Sequence, residues 1–487
     1  MQNSSSQESP SVKRQLVAGS LFLAVAKYSG MAVNLGVIAV LARLLSPELF
    51  ALAAITSVFS NFFLMFCDFG VAAAIIQHRS LTPRQISHVF SFCGWGGILL
   101  ALLFFFCGSP VASFYGEPAL CGLVQLVALQ VLFASLNIVP NALLLRAKKF
   151  RFMAFRTAGV NLVAGASAVA AAFLGAGVYA LIVTPLVSSA LLFVVNYVKV
   201  SPLPFFFRPA YSEVKMLVGY SSYNLWYNVL NYFSRNLDKL VVGKFMPMSE
   251  LGFYEKAYTL MLMPVQQVTA VVNPVIHPVL SAYQNDHAFL FRQFRSAVRL
   301  FAQIGFPLSV LLSFFSPEII GIVLGSNWDA AVPVFRIFAL SVGFQLVYAL
   351  QGPFFLVTGK PKWMFLCGFV PVVLNLSALA AGLAVWHSTV AVAILIDVAY
   401  VLSLWTTFHV LVTRCFGERP QQIWTAILPP LLKSALWLLA AELMCHYWME
   451  NTPLIAAKIG LSLPLLHDIW KEWKRRKAAF TQSTKKA

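Results

Sequence analysis

The chain has 487 residues, 59% of them hydrophobic and only 11% charged, where a soluble domain carries about 25% charged. With a mean hydropathy of +0.78 and repeated apolar runs of about 20 residues or more, this composition excludes an ordinary soluble enzyme and points to a bilayer protein. A net charge of +18 would suggest a nucleic-acid partner in a soluble protein, but the preference of cytoplasmic loops for Lys and Arg accounts for it here, and no nucleic acid is expected.

Residues 1–15 read as a polar cytoplasmic tail ending at Lys13 and Arg14. The apolar stretch that follows is too long for the core of a signal peptide and reads as an uncleaved first helix. Hydropathy then gives about fourteen transmembrane helices, at 16–45, 49–77, 86–114, 119–145, 155–175, 177–199, 216–243, 251–281, 298–322, 331–357, 363–386, 388–412, 423–448 and 453–469. The last is short and contains Lys458. The expected organisation is a first lobe over 16–200, a cytoplasmic linker over 201–215, a second lobe over 216–413, two additional helices over 414–470 and a basic tail over 471–487.

Basic residues set the orientation. With the N-terminus inside and each span crossing once, 26 of the 35 Lys and Arg fall in inside segments and two, Arg43 and Lys244, fall outside. A missed span in the middle would destroy that split, so both termini are expected in the cytoplasm. The run RAKKFRFMAFR at 146–156 is the densest anchor, and it could also attract anionic head groups.

Every loop is short, so there is no room for a soluble catalytic domain. No phosphate-binding G-x-x-x-x-G-K-[ST] loop is present, and the chain is not expected to hydrolyse ATP. The seven cysteines show no metal spacing, although Cys107 and Cys121 flank one outer loop and could pair. No metal, cofactor or catalytic group is expected, and the chain is not read as an enzyme. Shifting the sequence by 201 positions aligns 34–51 with 235–252 without a gap. This suggests two six-helix lobes related by a pseudo-two-fold along the membrane normal, with a substrate site between them.

The seventh span carries Asn224, Asn228, Asn231, Arg235 and Asp238 at steps of four, three, four and three, which is one face of a helix. Arg235 lies roughly 12 Å below the outer end, at 1.5 Å per residue. A charged side chain at the bilayer centre costs about 2.5–3.5 kcal/mol, so this face should line water or protein. The repeat places Lys27 opposite Asn228, and Asn34 opposite Arg235, on the first span. An Arg235–Asp238 pair within the helix is the competing, purely structural reading. The eighth span adds Gln266, Thr269, Asn273 and His277 on one face, and its prolines at 264, 274 and 278 predict a kink or break. Asp68 in the second span and Asp397 in the twelfth are candidates for ion coupling. Glu255 with Lys256 reads as an interfacial pair.

The segments LARLLSPELFAL, CDFGVAAAIIQ, GVYALI, SRNLDKLVVGKFM, LGFYEKAY and VIHPVLSAYQND resemble the polysaccharide-transporter branch of the multidrug/oligosaccharidyl-lipid/polysaccharide flippase superfamily. Within it they are most similar to Wzx-type exporters of the colanic-acid kind. The resemblance covers about residues 10–420 in order, with Phe50-Ala51 standing where Tyr-Gly is expected. It implies an all-α polytopic fold with alternating access, located in the bacterial inner membrane. The implied substrate is undecaprenyl-diphosphate-linked oligosaccharide, flipped for exopolysaccharide or lipopolysaccharide assembly. Membrane lipids are implied partners, as are a polysaccharide polymerase and export machinery. Lys27 and Arg235 would hold the diphosphate, and the Asn and Gln faces the sugars. The alternatives are a cation-coupled drug exporter, a lipid II flippase and, from another class, a membrane glycosyltransferase or polymerase.

Overall fold

Without water in the hydrocarbon core, backbone N–H and C=O groups of an apolar chain with short loops must pair within helices. The computed structural model describes residues 10–67, 71–77, 81–200, 203–207, 222–448, 458, 460–465 and 474. Among these no strand occurs. The helices are α1 (Pro10–Leu44), α2 (Pro47–Cys67), α3 (Val71–Gln77), α4 (Pro83–Phe106), α5 (Gly108–Tyr115), α6 (Ala119–Arg146), α7 (Phe150–Phe173), α8 (Tyr179–Val200) and α9 (Ser222–Phe245). They continue with α10 (Met248–Leu280), α11 (His287–Phe314), α12 (Ser316–Val323), α13 (Val332–Tyr348), α14 (Gln351–Val357), α15 (Pro361–Trp386), α16 (Thr389–Val410) and α17 (Gln421–Trp448).

Ten helical stretches among the described residues are long and apolar enough to cross a membrane. They match the second to sixth and ninth to thirteenth expected spans. The helices of the first, seventh and eighth, α1, α9 and α10, are 35, 24 and 33 residues long. Of the fourteenth, residues 458 and 460–465 are described, and they are helical.

Boundaries moved where polar residues belong to helices. α11 starts at His287 rather than 298, because the Asp286 carboxylate caps it by accepting from the Phe289 N–H at 2.8 Å. α4 opens on a capping box, with Thr82 and Gln85 satisfying each other's backbone N–H groups. The third expected span divides at Cys107 into α4 and α5, and the tenth into α13 and α14. α10 is unbroken through Pro264, Pro274 and Pro278, a tolerance that membrane helices allow because neighbouring groups re-satisfy the freed carbonyls. All seven cysteines are free thiols.

The contacts divide the chain into two compact units, Met1–Gly252 and Phe253–Ala487. In the first unit α6 is the hub, touched by α2, α3, α4, α5 and α8; α7 packs between α1 and α8, and α9 lies on α2. In the second, α11 packs on α13 and α17, and α16 packs on α13 and α15. Small residues let α11 and α13 close up: a Cβ on Gly305 would stand 2.9 Å from the Gly343 Cα, and the Gly343 N–H donates to Ser309 Oγ at 2.6 Å. Of the linker expected over 201–215, residues 203–207 are described. They run as a strap along α4, where the Phe206 N–H donates to Ser91 Oγ at 2.8 Å and Trp95 Nε1 donates to the Phe206 carbonyl at 3.3 Å.

Candidate functional site

The polar face of α9 is oriented by its aromatic neighbour face. The Tyr232 hydroxyl donates to the Val58 carbonyl of α2, and the Phe62 ring packs on Tyr232 and Phe233 with centroids 6.4 and 5.3 Å apart. Arg235 and Asp238 follow that seam by one and two turns on α9. Arg235 is exposed and Asp238 half-buried. Asp238 accepts from the Lys239 backbone N–H at 2.9 Å. Arg235 makes no ion pair among the described residues, which weakens the reading of a closed Arg235–Asp238 pair. Asn224, Asn228 and Asn231 are described as positions on α9, and Asn273 as a position on α10.

On α1, Gly30 permits close approach to α7: a Cβ there would sit 2.7 Å from Asn161 Nδ2, while Val33 and Val37 abut Gly165. Lys27 and Asn34, one turn to either side of Gly30, are exposed. The first unit therefore carries Lys27, Asn34 and Arg235 on exposed helix surface. Gln266 on α10 is also exposed. Asp68 lies outside the described residues.

Asp397 sits on α16 inside the second unit. Ser341 of α13 is its hydrogen-bond neighbour, and the Gln345 amide donates to the same serine at 2.9 Å. The Asp397 Oδ1 atom is buried without a hydrogen-bond partner. One turn on, the hydroxyls of Tyr400 and Tyr258 lie 3.1 Å apart. The second unit also holds an apolar cavity of about 480 Å³ between α11, α13 and α17, with Glu442 at its edge. It is lined by none of the predicted site residues.

Three polar arrangements had no place among the predicted site residues. Arg156 of α7 donates to the side-chain oxygens of Asn196 on α8 and Asn141 on α6, and the Asn196 amide donates to Asn137 at 2.7 Å. Asn196 is fully buried. The signal was available: lone amides inside apolar runs, facing an arginine in a third. Lys458, the residue that weakened the last span, forms an ion pair with Glu318 at 2.8 Å and donates to the Phe314 carbonyl at 3.0 Å. Arg336 reaches Ser316 at 3.3 Å and Glu442 at 3.9 Å. Glu255 and Lys256 do pair, at 3.0 Å.

A family model described as "polysaccharide biosynthesis protein" matches residues 40–333. The chain belongs to this polysaccharide biosynthesis protein family. Proteins of similar sequence carry names from polysaccharide biosynthesis and transport. The teichuronic acid biosynthesis protein TuaB of Bacillus subtilis is 23% identical, covering 73% of this chain and 74% of its own. The lipopolysaccharide biosynthesis protein WzxC of Escherichia coli is 23% identical over 67% of each chain. The succinoglycan biosynthesis transport protein ExoT of Rhizobium meliloti is 23% identical, covering 70% of this chain and 69% of its own. Among solved structures, the lipid II flippase MurJ in an inward closed conformation superposes with a TM-score of 0.73 at 15% identity, covering 94% of this chain and all of that one. The family's resemblance to Wzx-type exporters, expected from the ordered segments, is thereby borne out, and the all-helical transporter fold with it.

Proposed function

We propose that the protein is a flippase that carries undecaprenyl-diphosphate-linked oligosaccharide repeat units across the bacterial inner membrane by alternating access, for exopolysaccharide or lipopolysaccharide assembly. The observation that carries this reading is the combination of family and architecture. The chain belongs to a polysaccharide biosynthesis family, yet among the described residues no segment between the helices is large enough for a catalytic domain. A member of such a pathway whose described residues are mainly apolar helices of crossing length is suited to moving the lipid-linked sugar.

In this reading fourteen helices form two six-helix lobes with two helices added, and both termini are cytoplasmic. The boundaries are those expected from the sequence, 16–200 and 216–413 for the lobes. Lys27 and Arg235 donate to the diphosphate, where a charge-assisted bond is about twice as strong as a neutral one. Asn34, Asn224, Asn228, Asn231, Gln266 and Asn273 offer amides to the sugar hydroxyls, Asp238 orients the cations, and the prenyl tail stays in the bilayer. Asp397 or Asp68 couples the cycle to a cation. A polysaccharide polymerase and export machinery are the partners that would receive the product. Drug export remains the second reading, since a lone carboxylate such as Asp397, set among apolar helices, is also what a cation exchanger uses.

The test is transport in proteoliposomes. Protein reconstituted with a fluorescent prenyl-diphosphate oligosaccharide should make the inner-leaflet pool accessible to an impermeant quencher. Asp397→Asn should slow the exchange while leaving protein level unchanged. Extrusion of cationic dyes without any lipid exchange would overturn the assignment in favour of the drug exporter.

A further inference from the structure

The first unit contains a second cavity, of about 550 Å³, at the ends of α4, α6 and α8. It lies on helices other than α1 and α9, which carry the candidate cations for the substrate. Its walls are apolar, from Ile86, Leu143, Leu144 and Val200, and the strap closes one side with Leu203 and Phe206. That strap is fixed in place. Besides its two hydrogen bonds to α4, Phe206 stacks on His88 with centroids 4.4 Å apart, and the Tyr197 hydroxyl donates to the Leu203 carbonyl at 3.2 Å.

Two cations line this apolar chamber, Arg84 and Lys149. Both are exposed, and neither has an ion-pair partner among the described residues. The sequence explains why. From 69 to 212 it holds nine basic residues and one acid, Glu117. That acid precedes α6, whereas Lys149 follows it, so the whole helix, roughly 40 Å at 1.5 Å per residue, lies between them. The counter-charge for Arg84 and Lys149 must therefore come from outside this stretch. The N-terminus of α4 is already occupied by its capping box, which leaves the two side chains as the available donors.

We propose that this cavity binds the head group of an anionic glycerophospholipid of the inner leaflet. The phosphate lies between Arg84 and Lys149, and the first acyl carbons lie against Leu143, Val200 and the strap. A free phosphate would leave the apolar wall uncovered, and a zwitterionic lipid brings no net charge to two cations. The volume falls within the range of about 300–1,000 Å³ for small-molecule sites. Basic pockets between membrane helices on the cytoplasmic side are suited to anionic head groups. Because the strap belongs to the linker between the proposed lobes, an occupied site would brace that linker against α4. The inference rests on the cytoplasmic placement of the α6–α7 turn, which labelling of that turn tests separately, and it does not depend on what is transported.

The experiment is photo-crosslinking of the full-length protein in phosphatidylcholine nanodiscs doped with phosphatidylglycerol bearing a diazirine near the top of one acyl chain. Mass spectrometry should find adducts on peptides containing 83–95, 143–149 and 203–206. The Arg84→Gln/Lys149→Gln double variant should lose about thirtyfold of this labelling, roughly fivefold for each cation removed from an anionic head group. The control double variant Arg151→Gln/Lys199→Gln removes the same charge. Those cations rest on the rings of Phe155 and Phe152 and do not line the cavity, so it should change labelling by less than about twofold. A phosphatidylcholine probe should not label these peptides. Equal loss in both double variants, equal labelling by phosphatidylcholine, or displacement by millimolar inorganic phosphate would overturn the proposal. So would displacement by prenyl diphosphate at concentrations where phosphatidylglycerol does not compete, which would make the cavity a substrate entry site.

Discussion

At the scale of single residues, the energetics turn on charges placed among apolar helices. Arg235 is exposed on α9 and holds no ion pair among the described residues, while Asp238 is engaged by the Lys239 backbone. A planar, permanently charged fork suits phosphate oxygens better than an ammonium does. Arg235→Lys should therefore slow flipping partially and Arg235→Ala severely, with membrane levels near wild type. The Arg235→Ala/Asp238→Ala double variant separates binding from structure: full recovery of transport in it would refute the binding role. Lys458 and Glu318 are the opposite case, a pair with side chains only 7% and 13% exposed. Removing one partner of a buried pair strands the other charge and typically costs about 3–5 kcal/mol, whereas replacing both by apolar groups is often neutral. Lys458→Ala should lower the thermal unfolding temperature in detergent sharply, and Lys458→Met/Glu318→Leu should restore most of it. Equal stability of Lys458→Ala and wild type would show that the pair holds nothing together.

At the scale of the helix, apolar runs are easy to read and helix ends are not. Ten of the expected spans appear as apolar helices of crossing length, because a bilayer forces that pattern on the sequence. Helix ends differ from hydropathy where polar residues remain helical, as in the first turns of α11, whose arginines 292, 295 and 299 look like loop by hydropathy yet follow an Asp286 cap. The stripe on α9 was legible as a face from its spacing. That α9 packs on α2 was not, because Tyr232 reaching the Val58 carbonyl is a contact between residues 174 positions apart. The first turns of α10 carry their own constraint. A Cβ on Gly252 would sit 2.1 Å from the Pro47 carbonyl oxygen and 2.7 Å from its carbon, and a backbone cannot rotate away. Gly252→Ala should therefore destabilise the protein by about 1–3 kcal/mol, the usual cost of overpacking. Gly96→Ala, within α4 where nothing lies within 4 Å, should be neutral or slightly stabilising. The two variants can be compared by melting temperature and by monodispersity in detergent. Equal melting would mean that α10 shifts freely against the start of α2.

At the scale of the whole molecule, orientation is the property on which both the flippase reading and the lipid site depend. It follows from where the cations sit, since cytoplasmic loops retain Lys and Arg. Lys148 and Lys149 lie in the α6–α7 turn and Arg292 near the start of α11, whereas the α5 region and the turn around Ser326 carry no Lys or Arg between 85 and 145 or between 300 and 335. Single cysteines at Lys148, Arg292, Ser113 and Ser326 are all at exposed positions, so a negative result cannot be blamed on burial. In a background with the seven native cysteines replaced, an impermeant maleimide added to intact cells should label the Ser113 and Ser326 positions. The Lys148 and Arg292 positions should react only after the membrane is opened. Each cysteine replaces at most one cation, which leaves the excess on the inside face intact, so the labelling reports the native topology. The four positions also discriminate between errors. A single missed crossing before α6 would invert Lys148 and, with it, Arg292 and Ser326. A missed crossing between α7 and α11 would invert Arg292 and Ser326 and leave Lys148 inside. Labelling of Lys148→Cys in intact cells would remove the cytoplasmic surface from the α6–α7 turn, and with it both the inward-facing anchor and the place where an inner-leaflet lipid could bind.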